Sequence, residues 1–115
     1  MVKWERVAEL AHELPETEET TSWGKPSFQV RGKKFAGLST RHEGAMWTRC
    51  DRDERPFLVQ SNPDAYRLTP HFESSPAFLL IWLAHIDEAE VRERLIDAWL
   101  IQAPKRLAAQ HEFEG

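Results

Sequence analysis

A single cysteine, Cys50, stands in 115 residues. That excludes an internal disulfide framework and points to a reducing, cytoplasmic compartment. The chain also lacks any long apolar run. Its longest, Ala77 to Ala84, is far too short to cross a bilayer, so no membrane association is expected. Acidic residues interrupt the first apolar positions, so nothing at the N-terminus resembles a signal peptide. No internal repeat or low-complexity segment is present. The five histidines, at 12, 42, 71, 85 and 111, form no His-x-x-x-His pair, and with one cysteine there is no Cys-x-x-Cys, so no metal site and no cofactor are expected. Neither a Ser-His-acid spacing, a phosphate-cradling glycine loop nor a paired catalytic carboxylate stands out, and the chain is read as not an enzyme. The position of Cys50 at a strand end beside Asp51 does not favour a thiolate.

What remains is ordinary for a globular protein: 41% hydrophobic and 30% charged residues, in a chain long enough to bury a core as one domain spanning residues 1–115. The formal net charge of −4 is unevenly spread. From Trp23 to Arg55 eight basic residues face four acidic ones, whereas the remainder has seven basic and fifteen acidic residues. A basic middle between acidic ends suits a bipolar surface.

Periodicity supplies the elements. Trp4, Val7, Leu10, Ala11 and Leu14 fall on one face of a helix over 3–14, stopped by Pro15. A short strand is expected at 20–23. Phe28 and Val30 alternate with Ser27, Gln29 and Arg31, which predicts a half-buried strand, and Trp23-Gly24-Lys25-Pro26 leads into it. Trp23 is read as a core or rim aromatic that anchors this entry, with a nucleic-acid stacking role as the lesser alternative. Gly32-Lys33 then suits a two-residue type II′ turn into a second strand over 34–40, a register that sets Val30 opposite Phe35 and Arg31 opposite Lys34. Further strands are expected at 45–50 and 65–69, with a short helix between them in which Pro56 fits only the first turn and Phe57 and Leu58 face inward. Ala77 to His85 is apolar on both alternating faces, as in a central strand covered on both sides, or one that meets a partner chain. Asp87 caps a long helix, with Glu90 completing a capping box and Ile86 and Val91 forming a staple. Val91, Leu95, Ala98 and Trp99 are its buried stripe, Pro104 breaks it, and a short helix follows over 105–110. Together these predict an α+β two-layer sandwich, an antiparallel sheet of about five strands with N- and C-terminal helices on one face.

The residues Trp23-Gly24-Lys25-Pro26 with Phe28, Val30-Arg31-Gly32-Lys33 with Phe35, Thr69-Pro70-His71, the apolar strand into Asp87, and Ala98-Trp99 before Ala103-Pro104-Lys105 resemble the MmcQ/YjbR family. That resemblance covers nearly the whole chain in order. It implies a frataxin-like (CyaY-like) double-wing fold in a small bacterial protein and a DNA-binding role. Pro56 departs from the pattern, standing where the family continues a helix.

The candidate chemistry is therefore binding of double-stranded DNA by a basic β-hairpin wing. The candidate residues are Lys25, Arg31, Lys33, Lys34, Arg41 and Arg49, with Lys105 and Arg106 as a further pair and Arg52 and Arg55 as lesser candidates. Cations at a spacing that tracks phosphates release counterions on binding. The bland counterpart is a solvated tip, since lysine at strand tips ordinarily protects against edge pairing. Glu5, Glu9 and Glu13 at i, i+4 spacing are read as a solvated helix face rather than an iron site. His71 is read as a turn-fixing loop residue. The alternative function is a protein-interaction or homodimeric accessory role, with Trp47 or Trp82 beside the apolar strand marking an interface.

Overall fold

The computed structural model describes residues 2–70 and 74–110. Helix α1 (Trp4–His12) leads into four consecutive strands, β1 (Thr17–Ser22), β2 (Lys25–Val30), β3 (Lys33–Leu38) and β4 (Ala45–Arg49). Helix α2 (Arg55–Ser61), β5 (Phe78–Trp82), a 3₁₀ turn (Leu83–His85), helix α3 (Glu88–Gln102) and helix α4 (Lys105–Ala109) complete the order. The strands form one antiparallel sheet in sequence order, β1-β2-β3-β4-β5. This is the expected α+β two-layer arrangement. One sheet face supplies Phe28, Val30, Phe35, Met46, Leu79 and Ile81 to a core closed by Val7 and Leu10 of α1 and by Leu95 and Trp99 of α3.

Both early hairpins turn on the same device. The loops Trp23-Gly24 and Arg31-Gly32 lie between the closing pairs Ser22–Lys25 and Val30–Lys33. All four loop residues have positive φ, from 50° to 82°, the backbone of a type I′ turn, whose twist matches that of the strands it joins. The β2–β3 turn thus sits one residue earlier than the type II′ register predicts. Arg31 is in the turn and does not face Lys34, which pairs with Gln29, and Val30 pairs with Lys33 rather than Phe35. Glycine can occupy either position, but only the primed turn puts Arg31 in the loop. Phe35 is nevertheless fully buried. A bulge opposite Phe28 and Gln29 restores the phase, so that Phe35 and Ala36 both end in the core.

Three other expectations are corrected. The doubly apolar strand β5 ends the strand order instead of occupying its centre. The predicted strand at 65–69 reduces to a single bridge, Tyr66 to Ile81, which covers that outer edge. Leu79, Leu80 and Ile81 are all fully buried within this one chain, so the fold itself supplies the cover that the sequence pattern demands. Phe57 points outward and is 73% exposed. Pro56 does fall in the first turn of α2, where a missing amide donor costs nothing.

Asp87 caps α3 as expected, its carboxylate accepting from the Glu90 amide at 2.8 Å. The reciprocal half of the capping box is absent, because the Glu90 carboxylate accepts from the buried Tyr66 hydroxyl. Trp99, fully buried, donates its indole N–H to the Pro15 carbonyl at 3.0 Å and ties α3 to the exit of α1. Among the described residues no helix is long and apolar enough to cross a membrane.

Candidate nucleic-acid interface

Among the described residues, the core cluster and its helices lie against one face of the sheet. Strand register puts Ser27, Gly37, Trp47 and Leu80 in one row across the opposite face, with Arg49 paired to Phe78 beside it. Trp47 lies flat over Gly37: a Cβ at that position would be 2.7 Å from the indole Nε1 and 2.8 Å from two ring carbons. Phe78 meets Trp47 edge-on at 5.9 Å, and the Arg49 guanidinium carbon sits 4.8 Å from the Phe78 ring centre. The result is a packed row of two rings and a cation in which each part restricts the next.

This row floors an open concavity of about 910 Å³. Its walls come from separate elements: Ser22 and Trp23 from the β1–β2 turn, Lys34 from β3, Ser39 to Arg41 from the loop after β3, and Gln102 from the end of α3. Gln102 fixes one corner by donating to the Lys34 carbonyl at 2.8 Å. Ser39 shapes the loop that presents Arg41, its hydroxyl accepting from the Arg41 and His42 amides at 3.2 and 3.1 Å. Three cations, Lys34, Arg41 and Arg49, line the concavity together with Trp23, Trp47 and Phe78, and among the described residues no carboxylate lines it. None of the three cations has an ion-pair partner among the described residues. Lys34 donates to the Thr21 carbonyl at 2.9 Å. The Arg49 Nε is buried without a hydrogen-bond partner among the described residues.

The other candidate cations are placed elsewhere. Arg31 is bound to Glu16, Nε and Nη2 reaching its two carboxylate oxygens at 2.5 and 2.9 Å. That bidentate pair holds the guanidinium above its already high ordinary pKa, chiefly through the hydrogen bond. Lys33 and Lys25 are exposed at the two hairpins, and Lys105 and Arg106 are exposed on α4; none of these lines the concavity. Arg55 is a structural residue, 8% exposed, donating to the Ser75 and Phe78 carbonyls and so pinning the start of β5. The cluster predicted at the tip from Arg31, Lys33 and Lys34 is thus divided, and only Lys34 joins the concave face.

Trp23, for which the sequence made stacking only the lesser reading, lines the concavity. It is 93% exposed at its turn, not a core or rim aromatic. The usable signal was the glycine after it, which makes Trp23-Gly24 the same two-residue loop as Arg31-Gly32. Trp47 was legible as a possible interface aromatic and Phe78 only as a strand residue, because their meeting depends on β4–β5 register.

Other chemistry gathers less support. Glu9 and Glu13 of the first helix pair with Arg6 and Arg92, respectively, and among the described residues no group of three His, Cys, Asp or Glu side chains could hold a metal ion. Cys50 is buried, and burial pushes its thiol up to about 11. His71 lies outside the described residues.

The YjbR family model matches residues 12–101. Proteins named as uncharacterised from Mycobacterium tuberculosis strain H37Rv and from Mycobacterium bovis are each 30% identical to this chain, over 93% of this chain and 93% of the relative. A Deinococcus radiodurans protein, described as a DUF419 domain, has a crystal structure that superposes with a TM-score of 0.73 at 16% identity, covering 88% of this chain and 78% of that one. A Pseudomonas syringae protein superposes with a TM-score of 0.65 at 12% identity, covering 89% and 99%. At such identities these two structures establish the shared fold.

Proposed function

The chain belongs to the YjbR family, and we propose that it is a nucleic-acid-binding module, without catalytic activity, that works through the open sheet face. The carrying observation is the convergence of Lys34, Arg41 and Arg49 on one concavity that, among the described residues, no carboxylate lines. In a protein of net charge −4, a local surface of unbalanced positive charge is where a polyanion gains contacts without meeting repulsion. The aromatic floor adds the π surfaces on which nucleobases and Arg side chains pack. The hairpin tip is a weaker candidate, because its Arg31 is already neutralised by Glu16.

A salt-series binding assay with labelled duplex and single-stranded oligonucleotides tests the reading. Three phosphate contacts give a slope of log affinity against log salt of roughly −2 to −3. The double substitution Arg41→Glu with Arg49→Glu should abolish binding. Absence of binding at low salt, or binding unaffected by that charge reversal, would refute the assignment.

A further inference from the structure

The geometry points to an unpaired strand as the ligand of this face, with bases stacked on Trp23 and Trp47. This rests on the nucleic-acid reading above and specifies its substrate class. Trp23 carries it furthest. A bulky side chain in the left-handed region is disfavoured, yet Trp23 has a φ of 56° and is 93% exposed. Among the described residues no ring packs on it. The turn itself requires that φ, as it does at Arg31, but it does not require a tryptophan, and the fold gains no burial from one. An exposed bulky residue held at such a position fits ligand contact.

Trp47 offers the complementary property. Its ring is fixed before any ligand arrives, with Gly37 beneath it and Phe78 at its edge, so a base stacking there meets a preorganised surface. Both tryptophans line the same concavity, and the Arg41, Arg49 and Lys34 cations stand among them at its walls and floor. Interleaved rings and cations in an open groove are what a strand with splayed bases and a charged backbone needs. Ser22, Ser39 and Thr40 also line it, and their hydroxyls provide donors and acceptors for base edges or phosphates. A duplex keeps its base faces inside its stack and offers little to an exposed tryptophan.

The experiment compares a fluorescein-labelled oligo-dT single strand with a mixed-sequence duplex of the same length, by anisotropy at low salt. The wild type should bind the single strand about tenfold more tightly or better, since stacking adds to the phosphate contacts. Trp23→Ala should weaken single-strand binding about tenfold and duplex binding hardly at all, while Trp23→Phe keeps most of the affinity. Because Trp23 lies outside the core, the Ala variant should unfold at the wild-type temperature, which separates lost stacking from lost fold. Equal affinity for the two ligands, or single-strand binding indifferent to Trp23→Ala, would overturn the stacking proposal. If the duplex then still responds to the Arg41 and Arg49 charge reversal, the nucleic-acid reading survives alone. Failure of both ligands to bind overturns both.

Discussion

Arg31 and Glu16 form a two-bond ion pair across the exposed ends of the first hairpin, at 2.5 and 2.9 Å. The pair consumes the charge of the residue that looks most like a wing-tip phosphate ligand in the sequence. Both side chains are about half exposed, so solvent screening leaves the pair little weight in stability.

The first prediction follows from that partnership. Arg31→Ala should weaken nucleic-acid binding less than Arg49→Ala or Arg41→Ala, because only the latter two remove a cation from the concave face. Parallel titrations of the three variants decide it. A larger loss from Arg31→Ala would return the tip to the centre of the interface.

Gly37 gives a second. Gly→Ala at a compatible position usually stabilises by about 0.4–1 kcal/mol through the unfolded chain. Here a Cβ would lie 2.7 Å from Trp47 Nε1, and the indole must move off the strand. Gly37→Ala should therefore cost about 1–3 kcal/mol, the usual range for overpacking. It should also shift the tryptophan emission and reduce binding. Urea denaturation reads the stability, and a stabilised variant would show that the ring does not rest on Gly37.

Cys50 gives a pH prediction. Desolvation is the main cause that raises its thiol from an ordinary 9.0 to about 11. A raised folded value means that the native state holds its proton where the unfolded chain has lost it. The contribution to stability is intact below pH 9.0 and is lost progressively as pH rises through about 11. Alkylation by iodoacetamide at pH 8 should be much slower in the native protein than in urea, and Cys50→Ala should flatten the alkaline fall in stability. Equal native and unfolded alkylation rates would count against the buried thiol.

Sequence pattern alone determined most of the architecture. Alternation at Phe28 and Val30, the three-four spacing from Trp4 to Leu14, and the Asp87 cap each reflect a local rule whose partner lies within a few residues. The α+β sandwich follows from their order. Where sequence reasoning failed, two local solutions were close in energy. The Arg31-Gly32-Lys33 stretch admits two turns one residue apart, and the bulge at Phe35 lets the primed turn coexist with a buried phenylalanine. Strand β5 carried the pattern of a central strand, but the Tyr66 bridge and the residues around it supply that cover at the edge.

The candidate site was less legible, for a physical reason. Its cations were visible as types, but whether a cation is free depends on which carboxylate the fold brings near. Glu16 and Arg31 stand fifteen positions apart, and no periodicity announces their meeting. The row of Gly37, Trp47, Phe78 and Arg49 exists only through the pairing of three strands. The sequence by itself determined which residues are apolar, which stretches turn to within a residue, and that basic charge is concentrated in the middle. Tertiary structure alone decided that Lys34, Arg41 and Arg49 share one face while Arg31 is neutralised, because register and ion pairing are set by contacts between distant segments.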